Sequence, residues 1–191
     1  MKTQLVISIK IFALFTLLLG IAYPLIITGI AQLAFPEKAN GSLITSGKKV
    51  LGSRLIGQRF DSIIYFSSRP SAPAYNPLPS GGSNYGPTSS KLKKFVADQN
   101  VHFRQFNNLD DAIKIPSEMV FSSASGLDPD ISPDAAYLQV ERIAKARNLT
   151  SDQKSNLMKS ISSSCKYPQF GLFGERCVNV LNLNLELEYH Y

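Results

Sequence analysis

Residues 11 to 35 read IFALFTLLLGIAYPLIITGIAQLAF, from Ile11 to Phe35, without one charged side chain, between Lys10 on one side and Glu37 and Lys38 on the other. At ~1.5 Å per residue a helix of this length reaches about 37 Å, more than the ~30 Å hydrocarbon core of a bilayer. Fourteen of the 25 residues are Leu, Ile or Phe. Each favours insertion by ~0.3–0.6 kcal/mol, which together outweighs the penalties of Gly20, Pro24, Gly29 and Gln32. The stretch is therefore expected to cross a membrane once. A cleaved signal peptide is the competing reading, with Gly29-Ile30-Ala31 as a small-x-small cleavage site, but such peptides use only ~7–15 apolar residues.

The rest of the 191 residues suits one further domain. Charged residues are 18% and apolar ones 44%, which excludes a disordered chain. Every later apolar stretch is interrupted by charge, so no second span is expected. Lys2 and Lys10 before the span nearly balance Lys38, Lys48 and Lys49 after it, and the positive-inside count does not decide orientation. A short tail followed by a large domain reads as a signal anchor. The expected organisation is a cytoplasmic tail at 1–10, a transmembrane helix at 11–35 and an extracytoplasmic α+β domain at 36–191. Within the span, Thr16, Gly20, Pro24, Thr28 and Gln32 recur at every fourth position, a small and polar stripe suited to packing against another membrane helix. Because an α-helix turns that stripe by ~40° per step, it suits an oblique crossing.

Residues 36 to 66 alternate short apolar groups, such as Val50-Leu51, Leu55-Ile56 and Ile63 to Phe66, with turn formers, and read as short strands. Ser67 to Thr88 holds five prolines and three glycines, a loop longer than compact domains usually carry without a purpose. Tyr65, Phe66, Tyr75 and Tyr85 offer aromatic surface to pin it down. A helix is expected over Lys91 to Gln105. A second follows the N-cap Ser132 and Pro133, and a third the capping box of Thr150 and Gln153, with Asn148 closing the second in a left-handed conformation. From Leu181 to Glu188 the chain reads LNLNLELE. Strict alternation predicts a final strand burying Leu181, Leu183, Leu185 and Leu187.

No catalytic pattern emerges. The two histidines, His102 and His190, stand apart, and neither a zinc-protease nor a nucleophile-elbow motif occurs. Gly41 to Lys49 fails as a phosphate loop in both glycine spacing and its last residue. Asp110-Asp111 and Asp128-Pro129-Asp130 read as caps and turns. The six excess positive charges are diffuse, without the aromatic platform that single-stranded nucleic acid needs. Cys165 and Cys177 have eleven residues between them. In an oxidising compartment they could close a loop worth about 3 kcal/mol, or they are two separate thiols. Two classes remain open on this reading, an accessory subunit of a membrane complex and a membrane-tethered extracytoplasmic binding protein acting alone.

The loop and its neighbours narrow the choice. Gly57 to Phe60, Tyr65 to Ala72, Tyr75-Asn76, Ser80 to Thr88, Ser125 to Pro129, Ile131 to Ala136, Gln139-Val140, Ala144 to Arg147, Val178 to Leu181 and Leu183 to Leu185 resemble, in order, the C subunit of the bacterial potassium-transporting Kdp ATPase. Ala124, Asp130, Ser89 and the pair Arg176-Cys177 depart from that pattern, and the last departure creates the cysteine pair.

The resemblance implies a non-catalytic accessory subunit in the bacterial inner membrane, with the lipid bilayer and two protein partners around it. One is a channel-like subunit that binds potassium; the other is a P-type ATPase subunit phosphorylated on aspartate. It also implies assembly of those partners and raised ATP affinity of the catalytic one, with Ser80-Gly81-Gly82-Ser83 similar to part of a signature loop of ABC ATPases. Potassium is carried by the complex, ATP is the one ligand the resemblance allows for this chain, and no metal is assigned to it. The missing catalytic groups and the long loop together nominate Arg69, Pro70, Tyr75, Asn76, Ser80, Gly81, Gly82, Ser83 and Asn84 as partner-binding residues. Arg69 is equally open to a structural role, and Asp128 is expected to shape a turn.

Overall fold

A proline in mid-span removes one backbone donor and so perturbs the helix that contains it. In the computed structural model, which describes residues 2–191, α1 (Lys2–Leu17) runs into a π-helical turn at Leu18–Ala22 and continues as α2 (Tyr23–Ala34). The Tyr23 N–H reaches back to the Leu18 carbonyl, and the wide turn lies directly before Pro24. The expected tail is thus helical from Lys2, and the whole stretch to Ala34 is long and apolar enough to span a membrane. Each residue of a π-turn advances by less than the ~100° of an α-helix, so the wide turn counters the drift of the fourfold stripe. Helix geometry breaks at Phe35, and α3 (Pro36–Ala39) follows. There Lys38 Nζ lies over the Phe35 ring at 5.9 Å, and the amides of Gln32 and Asn40 face each other at 3.2 and 3.3 Å.

Two strands, β1 (Leu43–Ser46) and β2 (Lys49–Ser53), pair across a tight turn in which Gly47 takes a left-handed conformation. The chain divides into two compact units, residues 1–51 and 52–191. In the second, residues 54–89 carry no helix or strand. Next come α4 (Ser90–Asn107), β3 (Asp130–Ile131), α5 (Pro133–Ala146), α6 (Ser151–Ser163), β4 (Val178–Asn179) and α7 (Val180–His190). β3 and β4 pair antiparallel, with Asp130 opposite Asn179 and Ile131 opposite Val178. The fold class is α+β, as expected.

The caps follow the sequence. Ser89 accepts from the Leu92 N–H, Ser132 from Ala135, and Thr150 with Gln153 forms the full capping box. Asn148 takes φ 54° after α5. Helix α5 packs on α4 and α6, and α6 on α7. Phe66, Ile143, Leu157, Ile161, Leu183, Leu187, Val178 and Val180 are fully buried among them.

Three strand expectations fail, the first at Leu55-Ile56, which lies in a turn where the Ser53 hydroxyl accepts the Leu55 N–H at 3.1 Å. The alternating C-terminal segment is helical, because Asn179 caps it by accepting from the Asn182 N–H, and Leu and Glu are good helix formers. Its buried residues are Val180, Leu181, Leu183, Asn184 and Leu187, a helical spacing, so Leu181, Leu183 and Leu187 are buried as expected while Leu185 is only half-buried. Ile63 to Phe66 is not a strand either. Its backbone is held by side chains from α5 and α7 instead of by a neighbouring strand. The Asn184 amide accepts the Phe66 N–H at 2.7 Å and donates to the Phe66 carbonyl at 2.9 Å. Gln139 accepts the Ser67 N–H at 2.7 Å. Arg142 donates to the carbonyls of Ile63 and Tyr65 and to Asn107, and Arg147 to the Ile64 carbonyl.

Arg147 also pairs with Glu188 at 2.6 Å, and the Tyr65 hydroxyl donates to the same carboxylate at 2.9 Å. The Arg147 hydrogen bond, followed by that of Tyr65, holds the Glu188 carboxyl below its ordinary range. Such a group stabilises the fold above its unfolded pKa, and the contribution is lost as pH falls through the lower folded value. Chemical denaturation of the full chain in detergent is expected to show the wild type losing stability below about pH 4.3, with Glu188→Gln flattening that acid limb. In the same assay, Leu183→Ala is expected to cost ~2–5 kcal/mol and Leu185→Ala clearly less; equal losses would restore the strand.

Candidate functional site

A loop can present a fixed surface only if its backbone polar groups are satisfied, and residues 67–88 have no strand or helix to do so. The partner is the segment 123–128. The Ser123 N–H donates to the Pro70 carbonyl at 3.1 Å, the Gly81 N–H to Ser125 at 2.9 Å, and the Ser71 hydroxyl to the Gly126 carbonyl at 2.7 Å. Gly57 joins from the other side, its N–H on the Leu127 carbonyl at 2.7 Å. A Cβ on Gly57 would lie 2.5 Å from the Asp128 carbonyl oxygen, and one on Gly82 3.0 Å from that of Ala124. Gly126 has φ +71°, and a side chain there would strike Pro73 at 2.4 Å. The glycines are thus explained by close backbone approach.

Arg69 and Asp128 lock the two segments together. The guanidinium reaches the Asp128 carboxylate at 2.6 Å, with both side chains mostly buried. The other carboxylate oxygen accepts the Asp130 N–H at 3.1 Å, so Asp128 shapes the turn as expected and also neutralises Arg69. Arg69 Nε is buried without a partner among the described residues. The Arg69 carbonyl accepts the Tyr75 hydroxyl, and Ser71 Oγ accepts the Tyr75 N–H at 2.8 Å. These bonds hold Ala74 and Tyr75 in consecutive left-handed conformations, φ 53° and 62°, which residues with a Cβ seldom adopt. Burial pushes the Tyr75 phenol up to about 12, so it remains a donor at any physiological pH.

The nominated residues therefore divide. Arg69, Pro70, Tyr75, Gly81 and Gly82 build the loop's inner support. Asn76 accepts the Leu78 N–H at 3.1 Å as a turn residue, while Ser80, Ser83 and Asn84 lie on the exposed outside beside Leu78 and Tyr85. In the span, Gln32 is engaged by Asn40, whereas Thr16, Gly20, Pro24 and Thr28 are exposed.

Other functional-looking groups lie elsewhere. A cavity of about 520 Å³ behind the loop is lined by Phe60, Tyr75, Phe95, His102, Phe103 and Phe106 among others, and His102 stacks on Phe106. Cys165 and Cys177 are free thiols, both half-buried. Burial first, then Asp130, raises the Cys177 thiol to about 11. Sequence reading overlooked Gln139, Arg142 and Asn184. The available signal was polar side chains at the apolar positions of a helix, which are retained where a backbone needs them.

The Arg69–Asp128 pair is testable by a double-mutant cycle. Arg69→Met and Asp128→Asn are expected to couple by about 1 kcal/mol or more in denaturant unfolding. Gly126→Ala is expected to destabilise by more than either exposed substitution Ser80→Ala or Ser83→Ala.

Comparison with known proteins agrees with this architecture. The family model "K+-transporting ATPase, c chain" matches residues 5–189. A potassium-transporting ATPase KdpC subunit from Allorhizobium ampelinum is 48% identical, covering 95% of this chain and 93% of its own. The KdpC subunit of Geotalea uraniireducens is 45% identical over 95% of both chains, and that of Bacillus cereus 43% identical over 98% of this chain and 97% of its own. With a match that runs through the apolar helix, the buttressed loop and α7, the chain belongs to the KdpC family, the c chain of K+-transporting ATPases.

Proposed function

We propose that this chain is a non-catalytic subunit that assembles and stabilises the channel-like and P-type ATPase subunits of a bacterial potassium pump. The observation that carries the reading is the division of the loop into a spent interior and an open exterior. Arg69 is neutralised by Asp128, Tyr75 is held on a carbonyl, and Gly82 is packed against the Ala124 backbone. What remains outward is a fixed, uncharged surface from Pro70 to Ser90, with Leu78 83% exposed and Tyr85 beside Asn84. A rigid surface of this kind suits protein contact, because little conformational entropy is lost when it docks. Partner recognition thus moves from Arg69 to the outer residues Leu78, Ser80, Ser83, Asn84 and Tyr85.

In this proposal the domain is extracytoplasmic in the inner membrane and docks on the channel-like subunit, while the exposed stripe of the span packs against helices of the complex. Ser80 to Ser83 then faces no cytoplasmic ATP, and any rise in the pump's ATP affinity is transmitted through assembly. Coordination of potassium by backbone carbonyls belongs to the channel-like subunit.

Leu78→Asp combined with Tyr85→Asp is expected to lower recovery of the other pump subunits with the tagged chain by ~10-fold or more, the scale of a lost hot spot. Unchanged recovery together with unchanged potassium uptake would exclude loop docking, and recovery of the wild-type chain alone would favour a solitary tethered binding protein. In a cysteine-free background, Ser83→Cys is expected to react with a membrane-impermeant thiol reagent in intact cells lacking the partner subunits; labelling only after lysis would reverse the orientation.

A further inference from the structure

Between α6 and β4 the chain forms a small hairpin whose tip reads Tyr167-Pro168-Gln169-Phe170-Gly171-Leu172-Phe173-Gly174. Its stem is the antiparallel bridge of Lys166 with Cys177, and a second bridge joins Gln169 to Phe173. Phe170 and Gly171 turn the tip with φ of 55° and 72°, and Gly174 follows at 98°. Its four large apolar side chains all face outward. Phe170 is 91% exposed, Leu172 80%, and Tyr167 and Phe173 69% each. Single exposed apolar residues need no explanation, but four in seven residues on one hydrogen-bonded tip do.

Three features favour a lipid surface as the occupant. The tip is aromatic, with a tyrosine nearer the stem and phenylalanines at the end, the order in which side chains suit the gradient from headgroups to acyl chains. At the stem Lys166 is paired with Asp130 at 3.0 Å, which leaves the exposed Arg176, beside Glu175, as the long basic side chain placed to reach phosphate groups while the tip enters. The same chain carries the apolar helix Lys2–Ala34, N-terminal to this unit. That tether keeps the hairpin at high effective concentration near a bilayer, where a weak interfacial affinity suffices. We infer that the 167–173 hairpin inserts Tyr167, Phe170, Leu172 and Phe173 into the bilayer interface, as a second and shallow membrane contact for the tethered unit.

The chain contains no tryptophan, so Phe170→Trp installs a single reporter at an exposed site where folding is not at stake. The full chain is reconstituted in phosphatidylcholine and phosphatidylglycerol vesicles whose acyl chains are brominated near the headgroup. Trp emission is expected to be blue-shifted and its intensity roughly halved relative to unbrominated vesicles. Phe12→Trp, in the apolar helix, is the reference for the anchor and is quenched by bromines placed deeper. Water-like emission at position 170 with normal quenching at position 12 overturns the inference while leaving the anchor intact. A blue shift at 170 without bromolipid quenching assigns the tip to a protein contact and overturns it equally, and loss of quenching at both positions removes anchor and hairpin contact together. As a second variant, Phe170→Asp with Leu172→Asp is expected to leave the reporter Phe173→Trp unquenched.

Discussion

The fold depends on replacing a missing β-strand by amide and guanidinium side chains. Residues 62 to 65 turn, with the Tyr65 N–H on the Ser62 carbonyl at 3.2 Å, and lead into the buried Phe66; backbone groups left unpaired in such a place cost ~1–3 kcal/mol each. Asn184 bonds both polar groups of Phe66, Gln139 bonds Ser67, and Arg142 and Arg147 collect the carbonyls of residues 63 to 65. The arrangement brings α5 and α7 onto one segment and leaves Phe66 fully buried between them. It also fixes where the proline-rich loop begins, since Ser67 is the last residue so held. Arg142 remains charged at neutral pH, although burial lowers its pKa to about 10, and its hydrogen bonds to Asn107 and Gln139 tie α4 into the same network.

Beyond that start the loop is shaped by backbone contact with residues 123 to 128. Two segments without regular structure support each other, and their close approach leaves no room for side chains at Gly57, Gly82 and Gly126. A loop made this way uses its inner polar groups for its own support. The Arg69 charge is paired with Asp128 and the Ser71 and Tyr75 hydroxyls donate to backbone carbonyls inside, while the outside is left to Leu78, Tyr85 and small uncharged residues.

Much of this was legible from residues alone where the determinant is local. The charge-free run marks the span, and Ser132-Pro133, Thr150 with Gln153, and Asn148 mark helix ends, because a cap is settled within four residues of chain. The LNLNLELE segment was misleading because its leucines alternate at period two while its actual inner face also needs Val180 and Asn184. The absence of β-branched residues and the Asn179 cap were the local signs of a helix. Family resemblance located the loop and its glycines, yet the pairing of Arg69 with Asp128, 59 positions apart, is a tertiary fact. Nothing in the neighbourhood of either residue announces it, and Arg69 read alone looks like a free cation waiting for a partner.

The mutual embrace of Gln32 and Asn40 at the foot of the anchor carries a mechanical corollary. Two carboxamides bonded to each other, next to Lys38 over Phe35, form a polar collar that resists being drawn into hydrocarbon.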